Sequence, residues 1–311
     1  MPYENKGNSM QTILGSGGAI GIPLANDLVK YSNKIRLVGR NPKKVNPIDE
    51  LFTADISDYK QTMDAVKGSD IVYLVAGLKY DINVWQVQWP LIMKNVIDAC
   101  KHHGSKLLFF DNVYMYGKVN GWMTEETPFN PCSKKGEVRA RIAQMIIDEY
   151  QKKNLEAVIV RSADFYGHGL TTSVFNRLII DKLKKGQKAN WLINDKVKHS
   201  WSYNIDAAKA SALIANTPAA FNQTWHVPTD KNALTGEEYI KLTAELLKCK
   251  SNYSVLKKWQ LRLVGMFNSD VKGAIEMLYQ SEFDYLFDST KFENYYKIKP
   301  TSYKEGIQAS V

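Results

Sequence analysis

Cysteine and histidine are both scarce in this chain of 311 residues. Cys100, Cys132 and Cys249 make an odd count with no C-x-x-C pair, which excludes a disulfide framework and a cysteine-built zinc site. Cys132 reads as a small buried or half-buried thiol. The five histidines are scattered singly or as the adjacent pair His102–His103, so no metal is expected. Long apolar runs are missing too: the longest, "IVYLVAGL" at 71–78, is too short to cross a bilayer. The opening "MPYENKGNSM" lacks a signal-peptide core. No internal repeat and no low-complexity linker interrupts the chain. These absences together predict a soluble, cytoplasmic protein with no membrane partner. Acids are outnumbered, 32 against 41 Lys plus Arg, for a formal charge of +9. The lysines are dispersed and no groove-reading or RNA-stacking motif accompanies them. The surplus therefore points to an anionic small molecule, substrate or cofactor, rather than nucleic acid.

What is present is a rhythm. Short β-rich runs, "QTILG" (11–15), "KIRLV" (34–38), "DIVYLVA" (70–76), "KLLFF" (106–110) and "AVIVR" (157–161), alternate with amphipathic stretches over Ile20–Lys30, Tyr59–Val66, Val84–His103 and Gly136–Gln151. Such alternation builds right-handed βαβ units and a parallel sheet covered on both faces. The predicted fold class is α/β, a doubly wound parallel sheet of Rossmann type. Beyond Gly167 the rhythm loosens, so the expected division is a cofactor domain over 1–166 and a smaller α+β substrate lobe over 167–311, interleaved with the first.

The first strand runs into "GSGGAIG", which spaces Gly15, Gly18 and Gly21 three apart. Glycines after a first strand permit a tight turn and let backbone N–H groups approach a pyrophosphate at the helix start. Pro23 is tolerated there because the first helical turn has no N–H bonds to lose. The second strand ends in "LVGRNPKK". A NAD site usually carries Asp or Glu at that place to hold the ribose 2′-hydroxyl. Here stand Arg40, then Lys43 and Lys44, which suit the 2′-phosphate of NADP. The alternative is a solvated basic loop.

A third stretch, "SKKGEVR" at 133–139, opens a helix that Ser133 is placed to cap. The positive pole of a helix favours acids in its first turn, yet Lys134 and Lys135 occupy it and Arg139 follows one turn on. Elsewhere, Trp85 and Trp89 lie one turn apart and read as core or interface. His102 and His103 end a helix at its negative pole, and His168 reads as a polar loop residue.

Taken together these segments resemble the extended branch of the short-chain dehydrogenase/reductase family, the group of nucleotide-sugar epimerases and dehydratases. The likeness runs in order over most of the chain. "GSGGAIG" is similar to its cofactor loop, which implies that Gly15, Ser16, Gly17, Gly18, Ala19, Ile20 and Gly21 touch the cofactor. "ADISD" resembles the adenine-side segment after the third strand, with Asp55 and Ile56. "YLVAG" resembles the fourth-strand end with Ala76 and Gly77, and "IVRSADFYGHG" resembles the segment after the sixth strand, with Ala163. "FFDNVYMYG", "SYNIDAAKA" with Asp206 and "KPTSYKEG" match further landmarks, and the Tyr-Gly tyrosine, Tyr116, is expected to pack. Relatives of this type often pair through the helices at 84–103 and 136–151, so a homodimer is open. The chemistry departs from the family. Its Ser or Thr place falls on Asn112, its catalytic tyrosine on Lys135 and the lysine four residues later on Arg139. Three readings of the cationic helix start follow. Lys135, tuned towards neutrality by its neighbours, the helix pole and burial, moves a proton with Tyr114 beside it, while Arg139 holds ribose hydroxyls or a substrate anion. Or the cluster only binds an anion. Or it is a solvated turn. The resemblance implies an NADP-dependent oxidoreductase or epimerase-type enzyme that exchanges hydride at nicotinamide C4 with a carbonyl or alcohol carbon. The alternative is a non-catalytic NADP-binding sensor that has lost the tyrosine.

Overall fold

The computed structural model describes residues 7–311. Seven strands form one parallel sheet: β1 (Gly7–Leu14), β2 (Ser32–Gly39), β3 (Glu50–Thr53), β4 (Ile71–Leu74), β5 (Lys106–Asp111), β6 (Ala157–Arg161) and β7 (Thr224–His226). Their order across the sheet is β7-β6-β5-β4-β1-β2-β3. The order reverses at β1, which lies between β2 and β4. Strands of this kind are buried on both faces, and β4 and β6 are buried at every residue.

Successive side chains alternate between two cores. Leu107 and Phe109 point to one side with α2 (Tyr59–Val66), α3 (Ile82–His103) and α4 (Lys134–Gln151). Leu108, Val158 and Val160 point to the other with α1 (Gly21–Leu28) and α5 (Asn204–Ala215). Trp85 and Trp89 are both buried on the first side, and Lys101, His102 and His103 occupy the last turn of α3. The pattern offers no strand over Glu50–Thr53, where only the resemblance implies one, and none over Thr224–His226. β3 is an edge strand with an exposed and intermediate burial pattern, so it carries no apolar signature. β7 holds a single apolar residue, Trp225, and returns from the second half of the chain to pair with β6.

The remaining residues gather around a separate cluster of rings, Phe175, Trp191, Trp201, Tyr239 and Tyr303, built on Tyr166. Pairs of short strands brace it, including Ala189–Leu192 with Tyr253–Leu256 and Lys198–His199 with Leu234–Thr235. Among the described residues no helix is long and apolar enough to cross a membrane, and no group of three or more His, Cys, Asp or Glu could hold a metal. Cys132, expected to be buried or half-buried, is exposed, because it sits in the extended run before the Ser133 cap.

Candidate active site

Parallel topology places the predicted cofactor residues together. The glycine turn follows β1, Arg40 follows β2, Asp55 and Ile56 follow β3, Ala76 and Gly77 follow β4, Asn112 follows β5 and Ala163 follows β6. All lie at the carboxyl edge of the sheet, where open α/β folds bind ligands at the reversal of strand order. Gly15 takes φ +94°, and a Cβ there would fall 2.4 Å from the Ala76 Cα, so β1 and β4 meet backbone to backbone. The turn is pinned to β2, since the N–H of Gly15 and the Oγ of Ser16 both donate to the Val38 carbonyl, at 3.0 and 3.3 Å. Gly17 and Gly18 are exposed. A Cβ on Gly18 would meet only the Gly15 oxygen, at 3.6 Å, and one on Gly17 would meet nothing. Ile20, which precedes α1, provides no side-chain cap. Open space beside uncapped amides at a helix start fits a pyrophosphate.

A substitution tests the fit. Gly18→Val has room in the protein itself, so the variant is expected to fold with a parental circular dichroism spectrum. Its side chain projects into the open space, so calorimetry should detect no binding of NADP or NAD. Normal binding by a folded variant would mean that the turn is not the cradle.

On the adenine side, the Asp55 carboxylate accepts from the hydroxyl and the N–H of Ser57, at 2.7 and 2.9 Å. These bonds, with a smaller contribution from Arg40, hold its carboxyl below the usual range. Arg40, Lys43 and Lys44 are all exposed, and Lys44 Nζ donates to the Pro47 carbonyl at 3.1 Å. Ile56 lends its carbonyl to Thr62 and Asn95. Ala163 is buried, with its carbonyl accepting from Ser162 Oγ at 2.8 Å.

The cationic helix start has a counter-charge that its own segment does not contain. Ser133 caps α4 as expected, accepting from the Gly136 N–H at 3.0 Å. Glu276, from far along the chain, accepts from the Lys134 N–H with Oε2 and from Lys135 Nζ with Oε1, both at 2.8 Å. Glu276 thus joins Glu137, which stands in the first turn of α4, as a carboxylate at the positive pole. Lys135 is fully buried, also donates to the Gly273 carbonyl at 2.7 Å, and lies 4.5 Å from the centre of the Tyr80 ring. Arg139 donates through Nε and Nη2 to Asp111 Oδ1 and faces the rings of Trp89 and Phe109. The reading of a solvated turn needs correction: Lys135 and Arg139 are buried, and each is met by a carboxylate, Glu276 for the first and Asp111 for the second. Arg139, expected to reach ribose hydroxyls or an anion, is engaged by Asp111 instead.

Asn112 Oδ1 accepts from the Tyr114 N–H at 3.0 Å, an Asx turn that leads into the short turn Tyr114–Tyr116. Tyr114 accepts from Tyr80 OH at 3.2 Å and stacks on Trp85. Burial pushes its phenol well above the ordinary range, so it stays neutral and suits donation rather than proton abstraction.

Sequence reasoning missed the surrounding groups. Tyr80, Gly273 and Glu276 enclose Lys135. His199, buried between Trp201 and Tyr285, approaches Asp164 with Nε2 to Oδ2 at 3.2 Å. Arg161 Nη1 donates to Tyr116 OH at 2.8 Å, and that oxygen lies 2.9 Å from His226 Nε2. His226 Nδ1 is 2.7 Å from the Asp288 carbonyl, which can only accept, so the ring carries its proton there. Burial brings the His226 pKa down to about 3, leaving it neutral. Buried neutral histidine and ordered tyrosine make Tyr116 a packing residue. The sequence carries no signal for the Lys135 partner, since Glu276 lies 141 residues away and Glu137 already supplies an acid in the same helical turn.

The comparisons with known proteins agree with this architecture. A model of the NAD dependent epimerase/dehydratase family matches residues 12–227. The chain is 27% identical over 194 residues to short-chain dehydrogenase/reductase family 42E member 1 of Danio rerio, covering 54% of this chain and 49% of that protein. It is 25% identical over 160 residues to 3beta-hydroxysteroid-dehydrogenase/decarboxylase isoform 2 of Arabidopsis thaliana, covering 47% and 27%. The chain thus matches about half or less of the length of these curated relatives. A dTDP-glucose 4,6-dehydratase of Streptomyces venezuelae, solved with NAD, superposes with TM-score 0.77 over 97% of this chain and 95% of that one. At 16% identity that likeness speaks for the fold alone. The family match takes in the glycine turn, the strand ends and the whole of α4, and by it the chain belongs to the NAD dependent epimerase/dehydratase family.

Proposed function

We propose that this enzyme uses NADP to interconvert a carbonyl and an alcohol on a small, anionic substrate, with Lys135 as the group that handles the proton. The observation that carries the cofactor choice is Arg40, exposed at the end of β2 where an acid would hold an unphosphorylated ribose. When bound, the nicotinamide supplies the hydride chemistry. The glycine turn and the first turn of α1 would hold the pyrophosphate, Arg40 and Lys43 the 2′-phosphate, and Asp55 the adenine side. Lys135 stands at the family's tyrosine place, with Tyr114 as a neutral donor beside it. For Lys135 to reach a substrate it must exchange its bond to Glu276 for one to the substrate oxygen. The segment around Gly273 and Glu276 would then be the part that moves. A homodimer belongs to the same reading, and Val87 and Leu91, exposed one turn apart on α3, offer it an apolar stripe.

Calorimetry tests the cofactor claim. NADP is expected to bind more tightly than NAD by about 1–3 kcal/mol, the contribution of a charge-assisted bond. Arg40→Asp should reverse the order by repelling the phosphate and accepting from the ribose hydroxyl. Equal affinities in the parent protein would sink the proposal. Loss of NADPH absorbance near ~340 nm against a panel of carbonyl compounds separates an oxidoreductase from a cofactor-binding sensor.

A further inference from the structure

The helix Lys258–Gly265 has two apolar sides, and the fold uses one of them. Leu261 and Gly265, one turn apart, are buried against the protein. A Cβ on Gly265 would lie 3.0 Å from Ile275 Cδ1, so that side is tightly packed. The opposite side carries Trp259 (62% exposed), Leu263 (50%), Met266 (66%) and Phe267 (92%). Trp259 and Leu263 lie one turn apart on the helix, and Met266 and Phe267 follow in the turn just after its last residue. Burying such side chains is worth about 1.5–3 kcal/mol each, and the isolated chain gains none of it here. A patch of this composition exceeds the scattered single exposures normal for a soluble surface.

The surroundings select the occupant. Between 248 and 272 the sequence carries six Lys or Arg and a single acid. Lys257, Lys258 and Arg262 are exposed on the helix itself or at its start. The helix follows the strand Tyr253–Leu256, whose neighbour Ala189–Leu192 leads in from the exposed Lys184, Lys185 and Lys188. The two strands run parallel, so these lysines stand at the end of the pair away from the helix, about 13 Å along it. Lys258 is paired with Glu282, 2.8 Å from its Oε1, which leaves Lys257 and Arg262 as the exposed cations beside the apolar side chains, and that combination suits an anionic lipid surface. We propose that residues 257–267 dock this protein on an anionic bilayer, with Trp259, Leu263, Met266 and Phe267 entering the headgroup boundary. The inference stands apart from the cofactor reading. It revises the expectation of no membrane partner, which rested on the lack of a spanning run; a helix lying in the interface needs no such run. The docked helix ends at Gly265, and the next two elements, Ser269–Ala274 and Ile275–Ser281, carry Gly273 and Glu276, so the bilayer face and the Lys135 site are neighbours along the chain.

Sedimentation of the full chain with vesicles tests this. Vesicles of phosphatidylcholine mixed with phosphatidylserine should carry the protein into the pellet, and phosphatidylcholine alone should carry much less. Trp259→Ser combined with Leu263→Ser and Phe267→Ser should reduce the bound fraction by about tenfold or more while leaving the circular dichroism spectrum unchanged, because all three side chains are exposed. Lys257→Gln with Arg262→Gln should weaken binding and its sensitivity to salt. Two results overturn the proposal: a protein that stays in the supernatant with both vesicle types, or one whose pelleting ignores the apolar triple variant. A third also does so, namely a parental dimer in analytical ultracentrifugation that the triple variant converts to monomer without any vesicle binding, since the patch would then face a second copy.

Discussion

Asp111→Asn is expected to cost about 3–5 kcal/mol of stability, the range for stripping one partner from a buried ion pair. The carboxylate is buried and serves two guanidiniums. Arg139 bonds to its Oδ1, and Arg161 Nε stands 3.6 Å from its Oδ2. Arg161 is itself buried, and its Nε and Nη2 have no hydrogen-bond partner. Asparagine keeps the shape but removes the charge, leaving two cations in a site walled by Trp89, Phe109, Tyr116 and Phe129. Desolvated charge without a counter-ion is the expensive state, whereas the ring faces return only a part. Urea unfolding should give a lower midpoint with an unchanged slope. Lys94→Ala, which removes an exposed pair with Asp98 on α3, serves as the control and should leave the midpoint unmoved. A midpoint for Asp111→Asn equal to the parent's would show that water or rearrangement already screens this cluster.

The same cluster explains which parts of the molecule the sequence disclosed. β5 and β6 were legible because a strand buried on both faces reads as a nearly continuous apolar run, as Leu107–Phe110 and Ala157–Val160 do between Lys106 at one start and Arg161 at the other end. The glycine turn was legible for a similar reason: positive φ at Gly15 and the 2.4 Å approach to Ala76 constrain residue identity locally. Charge pairing leaves no such trace. Asp111 and Arg139 lie 28 residues apart and Lys135 and Glu276 lie 141 apart, so no periodicity links either pair. The helix start at Ser133 was read from its cap, while the charges beside it looked unbalanced because their acid was supplied by tertiary structure. β3 and β7 escaped the pattern from the opposite cause, being short strands at the two edges of the sheet with little apolar content.

Lys135→Met is expected to leave cofactor binding nearly intact and to cut turnover by about 10²–10⁴-fold, the range for losing a general acid or base. Nothing in the glycine turn or beside Arg40 depends on Lys135, so the effect should fall on kcat rather than on cofactor affinity. Methionine fills a similar volume against Tyr80 and Trp85, which keeps the helix start packed. The decisive variant is Lys135→Arg. A guanidinium can still donate to the Gly273 carbonyl and to Glu276, so it preserves the anchor of the covering segment, but it cannot release a proton. If Lys135 handles the proton, Lys135→Arg should be almost as damaging as Lys135→Met. If Lys135 only fastens residues 273–276 onto α4, arginine should restore near-parental turnover where methionine does not. Glu276→Gln adds a second axis. It keeps the hydrogen bond to Nζ while removing the charge that holds it, so a proton-transfer lysine would be freer to reach substrate and the pH profile of kcat should move. A purely fastening role predicts a weaker hold on the segment, a changed KM and a pH profile that stays in place. Near-parental turnover in Lys135→Arg together with an unmoved profile in Glu276→Gln would remove Lys135 from the chemistry and leave the proton to another group, for which Tyr114, neutral and hydrogen-bonded to Tyr80, is the candidate.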